Sequence, residues 1–265
     1  MDPAYRDAYE DEAQPPRRRG GRKALVVLVV IVLLLGGLLL AADRMAAGFA
    51  ERKIADQAAQ EIAKQDIKAG QPEVDVAGFP FLTQVLAGKY ESITIVVRDA
   101  TGPVNGKTVD IPELRIEARD VAASLDTLRS GQGEVVADSV SGTGTISYET
   151  VARFINQDDL TLAERDGKLT VTAPLDVLGQ RLTATGTAKI TVREGKVLLG
   201  FEDLTVDQLP NIPLARQIVS SYARRISIQL PLPALPYDLQ VREVRPTPKG
   251  LTVTADARNV PLNAL

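Results

Sequence analysis

The run Ala24–Ala42, ALVVLVVIVLLLGGLLLAA, limits what this chain can fold into more than any other segment, because no charge interrupts its nineteen residues. As a helix it extends about 28 Å, close to the hydrocarbon thickness of a bilayer. A helix on a soluble core needs one apolar stripe, not an apolar surface all round. Arg17, Arg18, Arg19, Arg22 and Lys23 precede the run, and a mixed segment with Asp43, Arg44, Glu51, Arg52, Lys53 and Asp56 follows it. Because the basic flank stays inside, the expected layout is a cytoplasmic tail over 1–23, a transmembrane helix over 24–42 and an extracytoplasmic domain over 43–265. A cleaved secretory signal is the competing reading. Such a signal has an apolar region of about 7–15 residues and ends in a small-x-small site, of which Ala41-Ala42-Asp43 is a poor version. Both readings export the bulk of the chain. The tail reads as disordered, with Asp7, Glu10, Asp11 and Glu12, then Pro15-Pro16, then the basic block, and few apolar residues.

Composition narrows the chemistry. The chain has no His and no Cys. That excludes a Ser-His-Asp triad, a Cys-His pair, disulfides and His-ligated metal sites, leaving carboxylates, Lys, Tyr and Ser-Lys arrangements for any catalysis. A net charge of −3 supplies no basic field for nucleic acid. The exported part, about 220 residues, is long enough to bury a real core. No segment has the dense oxygen ligands of a calcium loop, and nothing calls for a metal or an organic cofactor.

Met45–Lys68 is rich in helix formers, and Met45, Phe49, Ile54, Ala58 and Ile62 give it a thin apolar stripe. This helix either continues from the apolar run or follows a small break at Gly48; Gly70 and Pro72 end it. Strands are expected at Glu73–Val76, Ser92–Val97, Leu114–Ala118, Leu169–Ala173, Leu182–Val192, Lys196–Phe201, Leu239–Val244 and Leu251–Ala257. Asp166-Gly167, Glu194-Gly195 and Pro248-Lys249-Gly250 read as hairpin turns, which makes the sheet mainly antiparallel. Two helices interrupt the strands: Tyr148–Asn156, and Ile212–Arg225 with Ala215, Ile218, Val219, Tyr222 and Ile226 on one face. Asn211 suits an N-cap and Pro213 the first turn of the latter. The proline-rich Leu230–Pro236 reads as an extended edge or loop. The resulting fold class is α+β, a long N-terminal helix with a mainly antiparallel sheet. An aliphatic interior with only 4% aromatic residues and no Trp suits a plain core first and a lipid tunnel second.

Several motifs weaken on inspection. Gly102–Thr108 resembles the end of a phosphate loop but is one residue short, and extended chain follows it where a helix is needed. Gly131-Gln132-Gly133-Glu134 lacks the third glycine of a dinucleotide fingerprint and reads as a turn. Asp158-Asp159 and Glu202-Asp203 are adjacent in sequence, which does not set two carboxylates across a substrate.

Val76–Tyr90 stands apart, with two of the five Phe residues flanking Pro80 in an apolar turn that ends at Gly88. It is either a connection buried against the sheet or an apolar lip that touches lipid. Gly78-Phe79-Pro80-Phe81-Leu82, with Gln84, Gly88 and the strand Tyr90–Val97, resembles the LmeA-type phospholipid-binding family of actinobacterial envelope proteins. The resemblance runs over residues 45–262. It implies a tubular lipid-binding-like fold, a highly curved sheet wrapping a long helix around an apolar groove. It also implies binding of phospholipids, inositol phospholipids among them, and a part in maturing envelope mannan glycolipids. It brings no catalytic residues.

The expectation is therefore a membrane-anchored, non-enzymatic phospholipid-binding domain whose partners are phospholipid and membrane, with no protein partner identified. Phe79, Phe81, Leu82, Ile218 and Tyr222 are the candidate tail contacts, and Arg216, Arg224 and Arg225 the candidate headgroup contacts. Two other classes remain open: an envelope scaffold with a solid core, and a glycan-acting enzyme built on facing carboxylates.

Overall fold

A computed structural model describes residues 21–104, 106–130, 133–155, 157, 159–177, 179–193, 195–206, 213–230 and 239–262. The contacts divide the chain into two units, one ending at Asp43 and one beginning at Arg44. Most of the tail, the turn residue Glu194, the N-cap candidate Asn211 and most of the proline-rich segment lie outside the described residues.

Helix α1 (Gly21–Lys64) is continuous over 44 residues. Gly48 does not interrupt it. One glycine costs a helix interior about 1 kcal/mol, too little to break a run flanked by strong helix formers. In the first unit, the large apolar residues from Leu25 to Leu40 are 47–70% exposed. Among the described residues, Leu25–Lys64 is the one helix long and apolar enough to cross a membrane.

In the second unit, two antiparallel sheets follow. The first has the order β1-β2-β3-β4-β11-β10, from β1 (Glu73–Ala77), β2 (Lys89–Val104), β3 (Lys107–Ala122), β4 (Val136–Ile146), β10 (Gln240–Thr247) and β11 (Gly250–Pro261). The second has the order β5-β6-β7-β8-β9, from β5 (Thr161–Arg165), β6 (Lys168–Val177), β7 (Gln180–Arg193), β8 (Lys196–Val206) and β9 (Ile228–Leu230). Short helices punctuate them: α2 (Phe81–Ala87), α3 (Leu125–Ser130), α4 (Tyr148–Ile155) and α5 (Pro213–Ile226).

The α+β class, the long helix and the antiparallel pairing match the sequence expectation. The division into two sheets refines it, and register explains the division. Strands β5 to β8 pair each with the next, so they close on themselves as a meander. The last hairpin instead returns to the first sheet, with Leu251 opposite Ile146 and Val260 opposite Ala137. Asp166-Gly167 and Pro248-Lys249 make the expected turns, setting Arg165 opposite Lys168 and Thr247 opposite Gly250.

Two apolar cores result. The first lies among the second sheet, α4, α5 and β10–β11, around Leu169, Leu199, Ile226 and Leu251, each at most 1% exposed. The second packs Ala46, Ala47, Ala50 and Ile54 of α1 and Phe81 of α2 against Tyr90, Val121, Ala137, Val140 and Val260 of the first sheet. Three alanines on that face of α1, Ala46, Ala47 and Ala50, contribute small side chains to this contact. The backbone N–H of Val76 donates to Glu51 Oε1 (3.2 Å), which ties β1 to the same helix.

Candidate functional site

Two apolar features bound the first sheet. One is built on the turn Gly78–Gly88, where the sequence suggested an apolar connection and the chain forms α2. Pro80 precedes the helix, and Thr83 Oγ1 donates to the Pro80 carbonyl at 2.7 Å. Gly88 ends the helix in the left-handed region (φ 64°), where its N–H reaches the Gln84 and Val85 carbonyls; a side chain there would strain the cap. Gln84 fastens the turn at both ends, its amide donating to the Ala77 carbonyl (3.2 Å) and its carbonyl accepting from Glu91 N–H (2.8 Å). Phe81 is the anchor, buried with its ring 6.4 Å from that of Tyr90. Phe79, Leu82 and Leu86 are 55%, 38% and 81% exposed. The Arg44 guanidinium lies over the Phe79 ring at 5.2 Å. A hollow of about 480 Å³ beside the turn is lined by Phe79, Gln84, Lys89, Tyr90, Glu91 and Asp120.

The second feature is an apolar pocket of about 120 Å³ towards the far end of α1. Ile62 of α1 and Ile67 just beyond it form one side. Val97, Ala100, Gly102 and Pro103 of β2 and Val109, Ile111 and Leu114 of β3 form the rest. None of these side chains is polar. The pocket's geometry depends on a close approach. A Cβ on Gly102 would stand 2.8 Å from Ile67 Cγ1, so only glycine lets Ile67 lie against β2. Paired backbone bonds between Lys68 and Thr101 (2.9 and 2.6 Å), with Gly70 N–H to the Arg98 carbonyl (2.8 Å), clamp this connection to the strand.

A polar network pins the pocket's outer wall. Asp110 sits between Val109 and Ile111 and accepts from Arg153 at 2.5 Å and from the fully buried Thr150 hydroxyl at 3.3 Å, while its own N–H donates to Thr150 Oγ1 at 3.0 Å. Lys107 donates to the Arg153 carbonyl (2.7 Å) and lies over the Phe154 ring. The Arg153 guanidinium holds the Asp110 carboxyl below the usual carboxylate range. Gly102–Val104 closes β2 and Lys107-Thr108 opens β3, so strand follows where a phosphate loop requires a helix N-terminus.

The sequence candidates fall into two groups. Phe79, Phe81 and Leu82 meet at α2, with Phe81 in the core and the other two facing outward. Ile218 and Tyr222 of α5 belong to the other core, so the structure does not bring them to the α2 turn. Arg216, Arg224 and Arg225 are exposed on α5, where Arg224 donates to Ser221 Oγ at 3.2 Å. Among the described residues, the buried hydroxyls of Tyr90 and Tyr222 meet no hydrogen-bond partner, and burial raises both phenols above their ordinary pKa. The pocket residues Ile62, Ile67, Ala100, Val109, Ile111 and Leu114 were not candidates from sequence. Val109 and Ile111, alternating with Asp110, were the available signal.

A family model described as LmeA-like phospholipid-binding matches residues 41–256, a span that includes the α2 turn, the pocket, the second sheet and the first sheet as far as the middle of β11. The chain belongs to the LmeA-like phospholipid-binding family. This agrees with the resemblance carried by Gly78–Leu82. No curated protein and no solved structure matches the chain. Membership in the LmeA-like family supports lipid binding, and α1 offers one candidate membrane span.

Proposed function

We propose that this chain is a membrane-anchored, extracytoplasmic phospholipid-binding protein of the bacterial cell envelope. It holds lipid without catalysis and supports envelope glycolipid maturation. The observation that carries the reading is the pocket at the far end of α1, lined by nine residues without a polar side chain in a chain of the LmeA-like family. Its volume of about 120 Å³ is close to that of a dry apolar cavity, about 150 Å³, that admits benzene. It therefore takes the last few carbons of an acyl chain, and the rest of the chain lies along α1 and the first sheet. Each methylene withdrawn from water contributes about 0.8 kcal/mol, so a few carbons give useful affinity without polar contacts. The apolar run supports the anchored reading, and the basic residues of Arg17–Lys23 support its orientation.

The test is native mass spectrometry of the full chain released from detergent micelles. The expected spectrum contains a phospholipid adduct, which Ile111→Trp, filling the pocket, reduces severalfold while circular dichroism is unchanged. Bare protein, with no lipid taken up from liposomes, contradicts the reading. A scaffold is the second reading. It draws on the deep burial of Leu169, Leu199 and Leu251 in the first core.

A further inference from the structure

We infer that the α2 turn is a membrane-inserting lip, and that its partner is the headgroup–acyl boundary of the bilayer that holds α1. The inference rests on the anchored reading above and adds a second point of contact to it.

Three observations converge. The apolar side chains of Phe79, Leu82 and Leu86 are exposed together on one short element. That element is held by the Gln84 bonds and the buried Phe81, so the exposure belongs to an ordered surface and not to a loose loop. The third observation sets its depth. Arg44 lies 5.2 Å from the Phe79 ring and follows the apolar run by two residues. Two helical residues rise about 3 Å, so if Ala24–Ala42 fills the hydrocarbon layer, Arg44 stands at its edge and Phe79 stands beside it. An arginine at that level snorkels to phosphates, and an aromatic ring there occupies the interface.

Charges limit the insertion. Lys89, Glu91 and Asp120 line the neighbouring hollow, which suits them to the headgroup layer and not to hydrocarbon. The lip therefore buries Phe79, Leu82 and Leu86 and stops there, at the shallow depth of an interfacial helix, about 5–10 Å. Its consequence for function is local: it opens a route by which a lipid leaves the bilayer beside the first sheet.

The chain has no Trp, so a single introduced Trp reports position without background. Phe79→Trp, Leu86→Trp, Leu40→Trp in the span and Leu198→Trp in the second sheet are each made in the full chain. Each is reconstituted in phosphatidylcholine–phosphatidylglycerol vesicles carrying acyl-chain bromines near the headgroup or near the bilayer centre. The inference predicts about a twofold or greater loss of emission for Phe79→Trp and Leu86→Trp with the shallow quencher, little with the deep one, and none for Leu198→Trp. Adding Leu86→Glu to Phe79→Trp weakens that quenching; Leu86 is 81% exposed, so the fold does not depend on it. Quenching of Leu40→Trp without quenching at 79 and 86 overturns the lip and leaves the anchor. Absence of quenching at 40 overturns the anchored reading and the lip with it.

Discussion

Asp110 shows how one polar residue steadies an apolar pocket. Its carboxylate accepts from Arg153 and Thr150 while its flanking residues Val109 and Ile111 line the cavity. The folded-state pKa lies below the ordinary value of 3.8 because Arg153 favours the charged form. The stability this contributes is complete above the unfolded pKa and is lost as pH falls from about 4 through the lower folded value. Asp110→Asn should cost about 1 kcal/mol, a modest figure because solvent screens the exposed Arg153, and should flatten the acid limb of the stability curve. Urea denaturation at pH 7 and at pH 3 checks both; equal acid sensitivity of the two proteins contradicts the assignment. Tyr90 gives the opposite case. Its buried hydroxyl has no partner among the described residues, so Tyr90→Phe should leave stability unchanged or raise it by about 1 kcal/mol, read in the same denaturation experiment.

Among the elements, what the sequence disclosed depended on whether local chemistry or distant packing decided the outcome. The hairpins at Asp166-Gly167 and Pro248-Lys249, and helices α4 and α5, were legible because turn residues and a 3.6-residue apolar period are local signals. Strand β4, VADSVSGTGTI, was not legible. Gly142, Gly144 and its serines and threonines argue against a strand, yet it lies between β3 and β11, where both neighbours supply its backbone partners. Helix α2 was missed for a related reason: seven residues carry too little periodicity, and the element depends on Phe81 meeting Tyr90 and on Gln84 bridging Ala77 and Glu91. The pocket was hidden because Ala100, Gly102, Pro103, Val109 and Ile111 of its walls lie in the extensions of β2 and β3 beyond Ser92–Val97 and Leu114–Ala118, which the sequence expectation omitted. The same dependence makes a prediction. Phe81→Ala should destabilise by about 3–5 kcal/mol and raise hydrogen exchange first over Leu82–Ala87. Unchanged exchange there would mean that Phe81 is not what holds α2.

For the molecule as a whole, the proposed lipid binding assigns different work to the two cores. The core of the second sheet is deeply buried; Leu199→Ala should cost about 2–5 kcal/mol and, in whatever protein remains folded, leave lipid selectivity unchanged. The first sheet meets α1 through small side chains and ends in the apolar pocket, so it is the part suited to acyl carbons. A tether to the bilayer would raise the effective concentration of lipid at that sheet. The central claim is that acyl chains end in the pocket of Ile62, Ile67, Ile111 and Leu114. The most direct measurement is photocrosslinking of the full chain in liposomes with a phospholipid bearing a diazirine at the acyl terminus, followed by peptide mapping. Crosslinks should concentrate between Ile62 and Leu114, at the end of α1 and along the β2–β3 hairpin, and fall severalfold in Ile111→Trp. Crosslinks confined to the apolar run or to the second sheet, unaffected by Ile111→Trp, would contradict the account.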